Sequence, residues 1–465
     1  MSAAAAPMTR GNTAALSVLG LLIFALIAAG QALHVPGELG IGSDRRMAVF
    51  VGLEAIAGAC YLAAVALVLR HSLPGRALWL VLGLAAAMRL IPLVSPSFLS
   101  SDLFRYVWDG RVQLAGINPY RYIPADPALQ GLRDPAIFPF INRADYAQTI
   151  YQPTAQLIFA AIAWISQTPY AVKAAMVGFE ILAIAAMLRL LVLAGLPRTR
   201  VLIYAWNPVP VWEFAGNGHV DGAALGLVAL ALLARGTRRP AWAGVALAAA
   251  TAIKFLPAVL APALWRRWDW RMPAAFVATI AALYLCYAGA GWRIFGFLSS
   301  YAGEEGLRTG SGVWLLAGLQ LLVPLPAAAG TIYLAGVALC LTGLGLWMAF
   351  ARRPLAGSAD ILRFGADTAL LATFLLIAIS PHYPWYFPWL ALSACLAPYR
   401  STVFLSVACL LLYLDPLHER FVWPALVYLP AIVLAVLDLK HGLPRKARGA
   451  APRPCWGPSA PDPFT

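Results

Sequence analysis

Asp102, Arg105, Tyr106 and Asp109 stand at spacings of three and four in the stretch SSDLFRYVWDGRVQL. On a helix they would share one edge, two carboxylates with a guanidinium between them. A carboxylate so placed can take a proton from an attacking hydroxyl, and fixed positive charge can hold an anionic leaving group. The plainer reading is an aspartate that caps a surface helix beside an ordinary ion pair. Both readings require the same element: a helix that begins after Ser100-Ser101 and buries Leu103, Tyr106, Val107 and Val112. Gly116 and the turn Asn118-Pro119-Tyr120 end it, because proline disfavours helical geometry at the residue before it.

This helix sits in the one long polar stretch of an apolar chain, from Ser95 to Pro153. With 61% hydrophobic and only 12% charged residues in 465, and a mean hydropathy of +0.75, the chain is an integral membrane protein. The net charge of +14 does not point to nucleic acid, since the basic residues fall in short clusters between apolar runs and act as topology signals. Cys60, Cys286, Cys340, Cys395, Cys409 and Cys455 show neither CxxC spacing nor a nearby histidine, so they read as small core residues. Thr13 to Leu33 is long enough for a retained membrane anchor.

The positive-inside rule then orders the chain. Spans are expected near 13–33, 47–69, 77–94, 171–194, 201–214, 219–234, 272–290, 327–351, 365–380, 384–397, 401–415 and 421–438, with short limbs at 241–253 and 255–265 around Lys254. Thr154 to Ser166 and Val313 to Val323 are too short to cross and read as juxtamembrane or re-entrant helices. The fold class is an all-α polytopic bundle of about 12–14 transmembrane helices. Four regions follow: N-terminal helices (1–94), an extracytoplasmic catalytic loop with juxtamembrane helices (95–170), a transmembrane core (171–440) and a cytoplasmic basic, proline-rich tail (441–465). Both termini are expected in the cytoplasm and the polar loop outside a plasma (inner) membrane. The halves do not repeat one another, which favours an enzyme over an inverted-repeat transporter.

Asp102 followed by Tyr106, Gly116, Asn118-Pro119-Tyr120 and Tyr151-Gln152-Pro153 resembles the first external loop of the GT-C superfamily, and its mannosyltransferases in particular. Asn207-Pro208 with Gly216-Asn217-Gly218-His219-Val220-Asp221, and Ser380-Pro381-His382-Tyr383-Pro384-Trp385-Tyr386, extend the likeness to about Trp389. Each motif is short, and their order along the chain carries the resemblance. The first two spans stand outside the usual plan of such folds. The resemblance implies a glycosyltransferase that moves a hexose, mannose first among them, from a polyprenyl-phosphate donor to an extracytoplasmic glycan or lipid acceptor. It implies inversion at the anomeric carbon, with Asp102 as general base.

A departing lipid phosphate needs donors or positive charge, for which Lys254, His382, Arg105 and Tyr386 are the candidates in that order. Asp109, Asn118, Tyr120, Tyr151, His219 and Asp221 are the candidates for acceptor and sugar binding. The alternatives stay open: Lys254 also suits a snorkelling lysine, Asp221 a helix cap, and Trp385 and Trp389 an interfacial aromatic belt. Glu54 and Arg89 fall at similar depth and are expected to pair, while Glu180 has no obvious partner. The loop Trp292 to Gly312, with Glu304, Glu305 and Arg308, is placed to cover a donor or select an acceptor. No ligand spacing indicates a metal, so no cofactor is expected, although some members of the superfamily use a divalent ion at such carboxylates. The short cytoplasmic loops leave no room for a nucleotide-sugar domain. Two rivals remain: a transporter or flippase of a lipid-linked saccharide, and an O-antigen ligase or polymerase type of enzyme using a diphosphate-linked donor.

Overall fold

The computed structural model describes residues 6–7, 10–35, 43–351, 354–414 and 421–441. The tail expected beyond His441, with Cys455, lies outside the described residues. Apart from a two-residue bridge joining residues 6–7 to 71–72, the regular structure described is helical. Three helices, α1 (Arg10–Gln31), α2 (Asp44–Arg70) and α3 (Ala77–Val94), lead into the polar stretch, which is framed by α4 (Asp102–Leu114) and α5 (Pro153–Ile165). After α6 (Pro169–Leu193), the turns α7 (Leu202–Ala205) and α8 (Pro208–Pro210) run through a π-helical turn, Val211–Gly216, into α9 (Asp221–Gly236) and α10 (Pro240–Thr251). Then come α11 (Ala261–Leu264), α12 (Arg271–Leu285), α13 (Leu298–Glu304) and α14 (Trp314–Gln320). The chain closes with α15 (Ala329–Phe350), α16 (Gly357–Ile379), α17 (Pro388–Ala394), α18 (Arg400–Ala408) and α19 (Val422–His441).

Among the described residues seven helices are long and apolar enough to cross a membrane: α1, α2, α3, α6, α15, α16 and α19. An eighth crossing is possible through α12 and its continuation Ala288–Glu304, bent by 106°. The chain is thus an all-α multi-pass membrane protein, with fewer full-length crossings than the 12–14 expected. The difference lies in the segments near 201–214, 219–234, 241–253, 384–397 and 401–415, which are shorter or broken helices. Residues 201–220 are buried throughout. A segment enclosed by protein on all sides is apolar on all sides, so hydropathy alone does not separate it from one enclosed by lipid.

The expected pairing of Glu54 with Arg89 is not found. Arg89 reaches across to α6, where Nη2 lies 2.7 Å from Glu180 Oε1 and Nε donates to both carboxylate oxygens. Nη1 donates to the Ala205 carbonyl at 2.8 Å, and Tyr204 adds its hydroxyl to Glu180. Direction around the helix axis decided the partner. Helix α3 packs on α6, which carries Glu180, whereas α2 lies against α1, α7 and α18. Glu54 is fully buried beside Trp212 and Gly30.

Two contacts fix where the polar stretch begins. The buried Lys173 ammonium donates to the carbonyls of Pro92 and Ser95, satisfying the open C-terminal end of α3. Asn217 Oδ1 then accepts from the Leu99 amide and the Ser97 hydroxyl. Helix α4 lies directly on α5 at Gly110, where an added Cβ would stand 2.4 Å from the Phe159 carbonyl oxygen. Gly110→Ala is therefore expected to cost about 1–3 kcal/mol as the two helices are forced apart. Thermal unfolding in detergent measures it, and an unchanged midpoint would refute the close approach.

Candidate active site

Asp102 opens α4 but does not cap it. The N-cap is Ser101, whose side chain makes no capping bond, and the Asp102 amide donates to Ser100 Oγ at 3.2 Å. The carboxylate is turned instead toward the polar stretch: Oδ1 accepts from Asn142 Nδ2 at 2.7 Å and Oδ2 from the Tyr151 hydroxyl at 3.3 Å. Burial first, and then the charge of Asp102, push the Tyr151 phenol well above the usual tyrosine range. Tyr151 therefore stays a proton-bearing donor to the carboxylate across the working pH range. Asp102, Arg105, Asn142, Arg143, Tyr151 and Tyr383 help to line a polar cavity of about 290 Å³.

His219 stands behind this carboxylate. Its Nε2 lies 4.0 Å from Asp102 Oδ2 and 3.1 Å from Ser100 Oγ, while Nδ1 lies 2.8 Å from Glu213 Oε2 in a bent contact. Glu213 comes from the π-helical turn, the kind of local widening that recurs at functional sites, and its other oxygen accepts the Tyr413 hydroxyl. Both His219 and Glu213 are fully buried. Gly218, at φ 68°, makes the turn that brings the imidazole under Asp102, a backbone conformation that glycine adopts without a Cβ penalty. Trp385 is held between two rings, 4.2 Å from His219 and 4.4 Å from Tyr383.

A second, apolar cavity of about 370 Å³ adjoins the first. The two share Ile150, Tyr151, Tyr301, Glu305 and Tyr383 as a common wall. Lys254, His382 and Tyr386 line the apolar one. Lys254 Nζ is 2.7 Å from Asp221 Oδ2 and 4.4 Å from the centre of the Tyr386 ring. It occupies the break between α10 and the 3-10 turn Leu256–Leu260 that leads into α11. Arg143, itself in the left-handed region at φ 54°, pairs with Glu304 at 2.8 Å and so draws α13 over the polar cavity. The loop expected to cover the site does so with Tyr301 and Glu305. Burial pushes Tyr301 far up, and Tyr383 up to about 12, so both remain neutral hydroxyls at this wall.

The structure thus gathers Asp102, Arg105 and Tyr151 in one chamber and Lys254, His382 and Tyr386 in the next, with Asp221 beside Lys254 in a small cleft. It does not bring Asp109, Asn118 or Tyr120 to either. Asp109 is buried, holding Arg105 at 2.8 Å and accepting from Gln156 at 2.9 Å. The Asn118 amide donates to the Tyr287 carbonyl, and the Tyr120 hydroxyl to the Tyr151 carbonyl at 2.8 Å, so both brace the loop. His219 supports Asp102 from within rather than facing the cavity. Trp385 forms part of the polar cavity and Trp389 is buried, so neither belongs to an interfacial belt. Asn142, Arg143, Glu213 and Tyr383 were not among the sequence candidates for the site. Glu213 was detectable as a carboxylate inside an apolar run, which is costly without a role.

Residues 10–269 match the family described as alpha-(1->6)-mannopyranosyltransferase, N-terminal domain. The chain belongs to this family. No curated protein and no solved structure matches it. The matched region takes in α1 and α2, so the first two spans are part of the family domain rather than additions to it. It also takes in Asp102, His219, Asp221 and Lys254, while His382 and Tyr386 fall outside. This mannosyltransferase therefore acts between a sugar donor and a glycan acceptor. Among the described residues no group of three or more His, Cys, Asp or Glu side chains is arranged to hold a metal ion.

Proposed function

We propose that this mannosyltransferase takes mannose from a polyprenyl-phosphate donor and transfers it, with inversion, to an extracytoplasmic glycan or lipid acceptor. The observation that carries the reading is the shared wall between a polar chamber at Asp102 and an apolar groove at Lys254 and His382. A molecule with a sugar at one end and a long hydrocarbon at the other complements both at once. A nucleotide-linked sugar would leave the groove without an apolar partner.

In the reaction an acceptor hydroxyl oxygen forms a bond to the anomeric carbon as the bond from that carbon to the phosphate oxygen breaks. Asp102 takes the hydroxyl proton, and the lipid phosphate leaves with the bonding electrons. Tyr151 and Asn142 hold the carboxylate in place, and His219, backed by Glu213, packs against it as a positioning residue. Arg105 and Arg143 on the polar side and Lys254 on the apolar side supply the positive charge that meets the developing phosphate anion. The reading is metal-independent, because it assigns proton removal to Asp102 and charge neutralisation to Arg105, Arg143 and Lys254.

Proteoliposomes supplied in parallel with polyprenyl-phosphate mannose and nucleotide-linked mannose test the donor. Transfer is expected from the lipid-linked sugar alone, and equal transfer from the nucleotide would overturn the assignment. Lys254→Gln is expected to raise the KM for the lipid donor about tenfold, roughly 1.4 kcal/mol, with a smaller change in kcat. If Lys254 only snorkels, initial-rate kinetics of the variant will match the parent. Supplying polyprenyl-diphosphate glycans beside the monophosphate donor separates this enzyme from the ligase or polymerase type.

A further inference from the structure

At the other end of the bundle lies a cavity of about 630 Å³ that takes no part in the chemistry above. Arg235, Arg238, Arg266, Arg267 and Arg363 line it against Asp360 and Asp367, five guanidinium groups to two carboxylates. Its distance from the active site follows from two helices. Asp360 stands near the start of α16 and Ile379 at its end, where Ile379 lines the apolar groove. At ~1.5 Å per residue that is about 29 Å, close to the ~30 Å hydrocarbon thickness of a bilayer. Helix α9 runs between the same two sites over about 21 Å at that rise, with Asp221 beside Lys254 at one end and Arg235 beside Asp360 at the other. The basic cavity and the Asp102 chamber therefore belong to opposite membrane faces.

Its charge is only partly neutralised from within. Asp360 holds Arg235 at 2.7 Å and Arg266 at 3.0 Å, so one carboxylate serves two cations. Arg267 donates to the Phe350 carbonyl at 3.2 Å and lies 5.4 Å over the Trp268 ring, and among the described residues no carboxylate pairs with it. The exposed Arg238 has no hydrogen bond or ion pair from its guanidinium among the described residues. Two residues of the lining, Arg238 at φ 60° and Trp268 at φ 67°, hold left-handed backbone that non-glycine residues seldom adopt. Such conformations persist where the surroundings impose them, often around ligands. Trp268 is 63% exposed, and Trp347 is 51% exposed on α15 nearby, aromatic side chains of the kind that mark headgroup depth.

We propose that this cavity binds the phosphate headgroup of an anionic membrane phospholipid, with Arg238 and Arg267 as its ligands, on the membrane face opposite the transfer site. Planar guanidinium groups suit phosphate oxygens, and the exposed aromatic rim suits a ligand that arrives with acyl chains attached. A free phosphate would use the arginines but not the rim.

The test uses the full chain, purified in neutral detergent, with phosphatidylglycerol and phosphatidylcholine offered in equal amounts and bound lipid counted by native mass spectrometry. Wild type is expected to retain phosphatidylglycerol at least about tenfold over phosphatidylcholine, and Arg238→Gln/Arg267→Gln to lose most of that preference. Arg70→Gln/Arg198→Gln, which removes two exposed charges elsewhere, should keep it. The proposal is overturned if wild type shows no preference, if both double variants lose it equally, or if millimolar inorganic phosphate displaces phosphatidylglycerol completely. Each arginine replaced is at the surface, and the lipid comparison on wild type needs no variant to fold.

Discussion

Asp102→Asn is expected to lower mannosyl transfer by about 10²–10⁴-fold, the range that one positioned general base contributes, while leaving the protein folded. The amide keeps the shape of the carboxylate. Its oxygen can still accept from Asn142, and its nitrogen can donate to the Tyr151 hydroxyl, so the two contacts that hold the side chain survive in altered polarity. What is lost is the lone pair that takes the acceptor proton. The same variant in proteoliposomes separates an enzyme from a flippase, since a flippase would continue to move lipid-linked sugar across the bilayer while an enzyme would lose product. Full turnover by Asp102→Asn would remove the aspartate from its assigned role and leave it a residue that only braces Asn142 and Tyr151.

Arg89→Met should produce the largest stability loss in the membrane core, about 3–5 kcal/mol, because it leaves Glu180 buried without its cation. The cost comes from the stranded carboxylate and the unserved Ala205 carbonyl more than from the lost attraction. Replacing both partners, Arg89→Met/Glu180→Met, is therefore expected to recover most of the loss. Thermal unfolding in detergent of the two single variants and the double variant closes the cycle. If the double variant is as unstable as Arg89→Met alone, the burial argument fails. The same pair ties α3 to α6 and, through Tyr204, to the segment that carries Glu213, so a loosened core is expected to reach the active site as well.

The chemistry-bearing residues were legible to different degrees for identifiable reasons. Asp102 stood out as a candidate because it is a carboxylate at a helix start in the one polar stretch, and the structure places it on the polar cavity. Lys254 stood out as a candidate because Pro257 breaks the helix after it, and the structure places it on the apolar cavity beside Asp221. Asp109 has the same residue type and lies on the same helix edge, yet its side chain turns to Arg105 and Gln156. Spacing along α4 does not say which carboxylate meets a cavity and which meets a neighbour. His219 is buried behind Asp102 instead of lining the cavity, because the turn before α9 and the Ser380–Tyr386 loop, far apart in sequence, meet there.

By itself the sequence determined the class, the polar loop, the base candidate and the glycosyltransferase resemblance, because each rests on local composition or on motifs whose order is read along one dimension. The tertiary structure alone decided that Arg89 pairs with Glu180, that Glu213 backs His219, that Trp385 lies between two rings, and that several apolar segments are short or broken helices rather than full-length ones. These are matters of direction around helix axes and of which surfaces protein, rather than lipid, encloses. Hydropathy carries no such information, since a bilayer and a protein core are equally apolar surroundings for a side chain.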